Sequence, residues 1–369
     1  HSDTHSFPTR RSSDLGSITI KPTTPTLSPI PNGDGNGAYT ISWAAVTGAA
    51  DYVLQQDRSA AFADPTERYR GPTTSLAVSN QPGGAWYYRV QASNTAGDSG
   101  WSRVVSTTVK PASPTLYEIG NSDGDGAYVL DWDAVTGADT YVLQEDESPD
   151  FTRPTSRYSG GASQYAVDGQ VGGMWYYRVK AVNAGGDSGW SNVQSTVVKP
   201  APPFLDPIAN SDGDGAYTIT WQARAGAESY RLQTAETPTF DDPTEPYTGS
   251  ATALAVSGQT PGAWYYRVQA RNAGGESAWS NTQSTTIKPA APFLNPIANP
   301  YGEDTYPVCW SPVTGAETYT LQVDDDTAFN SVAVTYQGNA ICYTVDDNGP
   351  ATAHHRRHQS NPGETRPHR

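Results

Sequence analysis

The tryptophans of this 369-residue chain repeat. Trp43, Trp132, Trp221 and Trp310 follow one another at an interval of 89 residues, Trp86, Trp175 and Trp264 keep the same step, and so do Trp101, Trp190 and Trp279. The chain holds 10 tryptophans, so one repeating unit accounts for all of them. A period of this length constrains the fold before any local reading does. A solenoid turn is shorter and depends on its neighbours, whereas 89 residues are enough to close a modest hydrophobic core alone.

Each unit begins at the proline of a recurring dipeptide: Lys21-Pro22, Lys110-Pro111, Lys199-Pro200, Lys288-Pro289. The expected modules are therefore 22–110, 111–199 and 200–288, with an incomplete fourth at 289–350. Both ends differ from the repeat. His5–Leu15 resembles the translation of a sequencing-adapter oligonucleotide, so residues 1–15 are set aside. Residues 16–21 match the end of the third unit and read as the last strand of a preceding module, with further modules expected upstream. In the fourth unit the register survives to Asn361, but Ala353–Arg357 stands where Trp264–Val268 would predict strand residues. The tail 351–369 is expected to be aberrant, whether by degeneration or by local corruption.

Inside a unit, Gly and Pro punctuate short runs of strand formers, and no stretch sustains a helical period. Tyr39, Ile41 and Trp43 point one way while Thr40 and Ser42 point the other, which is a half-buried strand. Tyr52 and Leu54 alternate inward on the next. Leu76 and Val78 mark a short strand. Trp86, Tyr88, Val90 and Ala92 share one face of a long strand, and Tyr87, Arg89 and Gln91 share the other. A last strand is expected from near Trp101 to Val109. The predicted fold class is all-β. The core is expected to centre on Trp43, Trp86, Trp132, Trp175, Trp221, Trp264 and Trp310, since a buried indole hides about 150–250 Å².

These residues carry a resemblance. A Trp on the second strand, Tyr-x-Leu on the third, Pro82-Gly83 before an aromatic-x-Tyr-Arg-Val-x-Ala-x-Asn strand, and Gly-x-Ser before the last strand together resemble the fibronectin type III domain over 22–345. That resemblance implies tandem immunoglobulin-like sandwiches of seven strands, three packed on four. It also implies a tyrosine at the start of the sixth strand whose hydroxyl caps a corner. Trp86, Trp175 and Trp264 stand there instead, with an indole N–H able to donate in its place.

Several constellations have a structural and a functional reading. Arg89 with Trp101, Arg178 with Trp190 and Arg267 with Trp279 suggest cation–π pairs, structural or part of a ligand site. Tyr87, Tyr176 and Tyr265 face outward, for cross-strand packing or for stacking on sugar rings. Asn121–Gly126 and Asn210–Gly215 resemble the first half of a calcium loop, and Asn32–Gly37 is a weaker copy. The twelfth position, where such a loop needs a bidentate Glu, is Trp132 in the second unit. The plainer reading is a hairpin loop tolerant of positive φ. All 6 histidines lie in the unusual ends, so His354, His355 and His358 can imitate a metal tract without being one.

Net charge is −15, which speaks against nucleic acid and anionic lipid as partners. No apolar run reaches the roughly 20 residues of a spanning helix, so no membrane insertion is expected. The three complete units contain no histidine, so no His-based catalytic group is available. No catalytic, cofactor or metal residue is assigned, and the chain is not expected to be an enzyme. The expected function is a secreted or cell-surface spacer or adhesion array, bacterial in type, each unit adding roughly 30 Å. Alternatives are modules that bind an unknown protein or glycan through the Tyr87/Arg89/Trp101 face, or an accessory region of a larger secreted hydrolase.

Cys309 and Cys342 are the only cysteines. Both are expected to point outward on neighbouring strands and to form a disulfide, which implies an oxidising compartment. Intact-mass measurement of air-oxidised protein should show the chain lighter than its reduced form by one hydrogen pair; two free thiols there would refute the bridge.

Overall fold

The computed structural model describes residues 18–301, 303, 305–324, 327–330, 333–346 and 354–360, the last run and residues 333 and 334 through their backbone only. The adapter-like run at 1–15 lies outside the described residues. Among these residues every regular element is a strand.

The first module contains β1 (Tyr39–Ser42), β2 (Asp51–Asp57), β3 (Thr66–Gly71), β4 (Ser75–Val78), β5 (Gly84–Asn94), β6 (Gly97–Asp98) and β7 (Val105–Val109). In one sheet β1 pairs with β4, Tyr39 opposite Val78 and Ile41 opposite Leu76. The other runs β3-β2-β5-β6, with β7 also on β5. The same pairings recur in the second and third modules. The chain is thus a tandem of immunoglobulin-like, fibronectin-type-III-like sandwiches. The first strand is reduced to one bridge, Leu27 to Trp43, repeated at Leu116, Leu205 and Leu294. Its prolines, Pro22, Pro25, Pro29 and Pro31, lack the N–H a longer ladder would need.

Period-2 alternation turns Leu27, Tyr39, Ile41 and Trp43 toward Tyr52, Leu54, Tyr88, Val90 and Ala92 of the facing sheet. Trp43 packs between Tyr52 and Tyr69, with ring centroids at 5.8 and 6.0 Å. Trp132, Trp221 and Trp310 are held by the equivalent tyrosine pairs. All four indoles are buried. A second contact ties the two sheets: Tyr39 and Tyr88 hydroxyls meet at 2.7 Å, as do Tyr128 with Tyr177, and Tyr217 with Tyr266 at 2.6 Å.

The last strand begins later than expected, at Val105 rather than Trp101. Ser99 and Ser102 are the cause. Each accepts a β5 amide on its hydroxyl, Ser99 from Ala92 and Ser102 from Val90, and each returns its own amide to the same residue's carbonyl. Side chains replace the ladder over this stretch, which carries Trp101 as an irregular excursion.

In the fourth module His354–Ser360 pairs with Thr318–Asp324, His354 opposite Asp324. This is the register of Tyr265 opposite Ala235 in the third module. The module therefore continues beyond the expected end at 350, because ladder hydrogen bonds are made by backbone and tolerate a changed sequence.

The chain divides into two compact units: residues up to Gly120 with Tyr128–Asp168 and Trp175–Thr196, and Asn121–Ala127 with Gly169–Met174 and the chain from Val197 on.

Burial pushes the phenols of Tyr39, Tyr88, Tyr128, Tyr177 and Tyr217 above their ordinary value of 10.0. The neutral form is the one the fold accepts. Stability from these groups is complete below the unfolded value and falls as pH rises past it, because the unfolded chain ionises first. Melting temperature should therefore decline above pH ~10. The double variant Tyr39→Phe with Tyr88→Phe should flatten the first module's share of that decline, read by circular dichroism.

Candidate functional site

The outward face of β5 carries Arg89, and the fold sandwiches it. Its guanidinium carbon lies 4.2 Å from the Phe62 ring centroid and 4.4 Å from that of Trp101. Its Nε and one Nη donate to Gln55 Oε1 at 2.9 and 2.7 Å. Arg178 repeats this between Phe151 and Trp190 on Gln144. Arg267 repeats it between Phe240 and Trp279 on Gln233. The structure thus brings each Arg–Trp pair of the sequence reading together. It adds the phenylalanine and the glutamine, which that reading missed. The missing signal was present: Phe62, Phe151, Phe240 and Phe329 also stand 89 residues apart.

Phe62 reaches Arg89 from a tight loop after β2 where its φ is 51°, a region unfavourable for a bulky residue. Asp57 holds that loop, its two carboxylate oxygens accepting the amides of Ser59 and Asp64 at 2.9 and 3.0 Å. Those backbone bonds keep its carboxyl below the usual range. Burial lowers the guanidinium pKa of Arg178 and Arg267 from the ordinary arginine value. A guanidinium with both faces stacked and its edge bonded serves packing. Tyr87, Tyr176 and Tyr265 flank these stacks and are half-buried.

The expectation of a core centred on the tryptophans needs correction on this strand. Trp86 is buried, but Trp175 and Trp264 are only half-buried. The fully enclosed position is two residues on, at Tyr88, Tyr177 and Tyr266. The tryptophans stand near the start of the long strand, Trp86 opposite Thr107 and Trp264 opposite Thr285 of the last strand. Two of their indoles donate back four residues, Trp86 Nε1 to the Pro82 carbonyl at 2.8 Å and Trp264 Nε1 to the Thr260 carbonyl at 2.9 Å. An indole thus makes a corner bond where the resemblance implied a tyrosine hydroxyl.

In the fourth module Cys309 stands opposite Cys342. The two are joined as a disulfide with Cα atoms 4.1 Å apart, on the outer side of their sheet.

The acidic glycine loops that resembled half a calcium site act at the module ends. Asn36 N and Ala127 N bond to the carboxylates of Asp34 and Asp125 two residues before them. The Gly35, Gly124 and Gly213 carbonyls accept the amides of Lys110, Lys199 and Lys288. Among the described residues, no group of three or more His, Cys, Asp or Glu side chains is arranged to hold a metal ion.

Those lysines lead into the joints. Asn183 Nδ2 donates at 2.8 Å to the carbonyl of Val109, the end of the preceding module's last strand, and at 2.7 Å to Gly137 of its own module. Asn272 bonds Val198 and Gly226 likewise, at 2.8 and 2.9 Å. Asn94 makes the pair with Ile20 and Gly48, both at 2.8 Å. Beside this clamp the backbones touch. A Cβ on Gly137 would overlap the Gly83 carbonyl, and one on Gly226 the Gly172 carbonyl. Both glycines also have positive φ, 78° and 69°, so a side chain is excluded twice. Gly48, their counterpart in the first module, faces open space.

No family model matches the sequence. The chain is 23% identical over 360 residues to human fibronectin type-III domain-containing protein 3A, covering 90% of this chain and 30% of the relative. It is 26% identical over 294 residues to the Gallus gallus protein of the same name, covering 73% and 24%. A mouse fibronectin type III domain-containing protein 7 is 22% identical over 240 residues, covering 64% and 32%. The chain thus spans about a third or less of the length of these relatives. They are vertebrate proteins and lend no support to the expected bacterial type. Among solved structures, the chicken CNTN1 FN1–FN3 domains align over 73% of this chain and 98% of theirs at 15% identity, with a TM-score of 0.31.

Replacing Arg178 removes two stacking contacts and two hydrogen bonds at once. Arg178→Ala should destabilise the second module by about 1–3 kcal/mol. Arg178→Lys should not restore it, because an ammonium lacks the planar fork. Urea denaturation of the full chain, followed by tryptophan fluorescence, measures both.

Proposed function

We propose that this chain is a non-catalytic spacer and adhesion array, secreted or on a cell surface, in which the second module's position is fixed by the first. The observation that carries the reading is the joint. A flexible string of domains needs only a linker. Here the linker lysine is pinned to an end loop, the next module's asparagine grips the strand just finished, and two backbones meet where only glycine fits. Such a joint removes bending freedom, which matters to a protein that sets a distance and matters little to one whose modules work separately. The arginine stacks fit the same reading, since they consume the outward guanidinium. No helix among the described residues is long and apolar enough to cross a membrane.

The joint gives the test. Gly137→Val should force the first and second modules apart without entering either core, and Asn183→Ala should loosen the same joint more mildly. Nitrogen-15 relaxation of the full chain should show the two modules tumbling together in the wild type and separately in Gly137→Val. Independent tumbling in the wild type would end the spacer reading.

A further inference from the structure

The first module shows what the third module lacks. In the first, the Arg58 guanidinium lies flat on the Trp86 ring, 3.6 Å from its centroid, and donates to the Gly83 carbonyl at 2.9 Å. Eighty-nine residues on, the counterpart of Arg58 is Glu147, and a further step brings Glu236. Trp264 keeps the place of Trp86 and remains half-buried. Among the described residues no cation covers Trp264.

A cleft of about 330 Å³ opens instead. Trp264 forms one wall, and Glu236, Asp241 and Asp242 contribute carboxylates. No basic side chain lines it. At its floor stands Thr234, only 7% exposed, whose hydroxyl has no hydrogen-bond partner. The counterparts of Thr234 are spent internally. Gln56 accepts from Gln81, and Glu145 accepts from the Tyr177 hydroxyl and pairs with Arg157. A buried, unmatched hydroxyl beside an uncovered indole and three carboxylates is an environment made for a donor-rich cation.

We propose that this cleft binds the arginine side chain of a partner protein, the guanidinium stacking on Trp264 as Arg58 does on Trp86 and donating to Glu236, Asp241, Asp242 and the Thr234 hydroxyl. The second module carries a related cleft of about 370 Å³ at Trp175, lined by Glu145, Asp146 and Glu147, but Arg153 also lines it. Arg153 replaces Asp242 there and supplies a positive charge of its own, so the third module is the stronger site. The proposal does not depend on the spacer role.

The test uses the full chain and the capped peptide acetyl-Gly-Arg-Gly-amide, with the citrulline peptide as a control of equal shape and no charge. The Trp264 indole N–H resonance should shift with the arginine peptide at millimolar concentration, not with citrulline, and the shift should weaken several-fold in high salt. Glu236→Arg recreates the first module's own filling and should abolish the shift while leaving the melting temperature in place. Glu236→Gln should weaken binding several-fold. No shift with the arginine peptide overturns the proposal. So does an equal shift with citrulline, or unchanged binding in a folded Glu236→Arg chain.

Discussion

One asparagine amide in each of the first three modules ties the end of the strand before the module to the module's own first turn. Asn94, Asn183 and Asn272 each close the turn after the long strand and each spend both side-chain N–H bonds on carbonyls, one of the preceding strand's end and one of the module's own early turn. A bond of this kind contributes about 1 kcal/mol net. Its geometric effect is larger than its energy, because it fixes where one sandwich ends and the next begins. The glycines at Gly137 and Gly226 follow from it: with the strand end gripped, the neighbouring turn is drawn so close that no Cβ fits.

Within each module the same economy appears in aromatic form. One indole between two tyrosines fills the interior, and in the first three modules one pair of tyrosine hydroxyls crosses it. Neutral phenols bonded to each other satisfy their polar atoms without bringing charge into the core. The indole nitrogens of Trp43, Trp132, Trp221 and Trp310 are left without such a partner. Packing of a large ring is evidently worth an unmade bond there. The outer face answers with arginine, stacked on both sides and tethered by glutamine, so the exposed side of the sheet is also rigid.

The modules are copies, yet they differ where they meet solvent. Arg58 covers Trp86, whereas Glu236 leaves Trp264 to a cleft. Gln56, Glu145 and Thr234 occupy one position with three hydrogen-bonding outcomes. A repeat keeps the residues that close the core and is free to vary those that do not, so the differences between copies point to function more sharply than the features they share.

The period and the inward face of each strand were legible in the sequence, because alternation and an 89-residue step are local or strictly periodic signals. The Arg–Trp pairs were legible for the same reason. The phenylalanine of each stack keeps the same step, but nothing in the spacing says that its loop brings the ring over the arginine. The half-burial of Trp264 depends on the loss of the arginine that covers Trp86, and the late start of the last strand depends on serine hydroxyls replacing backbone partners. Asp and Gly at the spacings of the acidic loops suit a tight turn better than a metal, but residues alone did not say what the turns touch. Only the fold carries the loop carbonyls to the linker lysines. Periodicity records which residues must be buried, and tertiary structure alone determines which surfaces are brought close enough to touch.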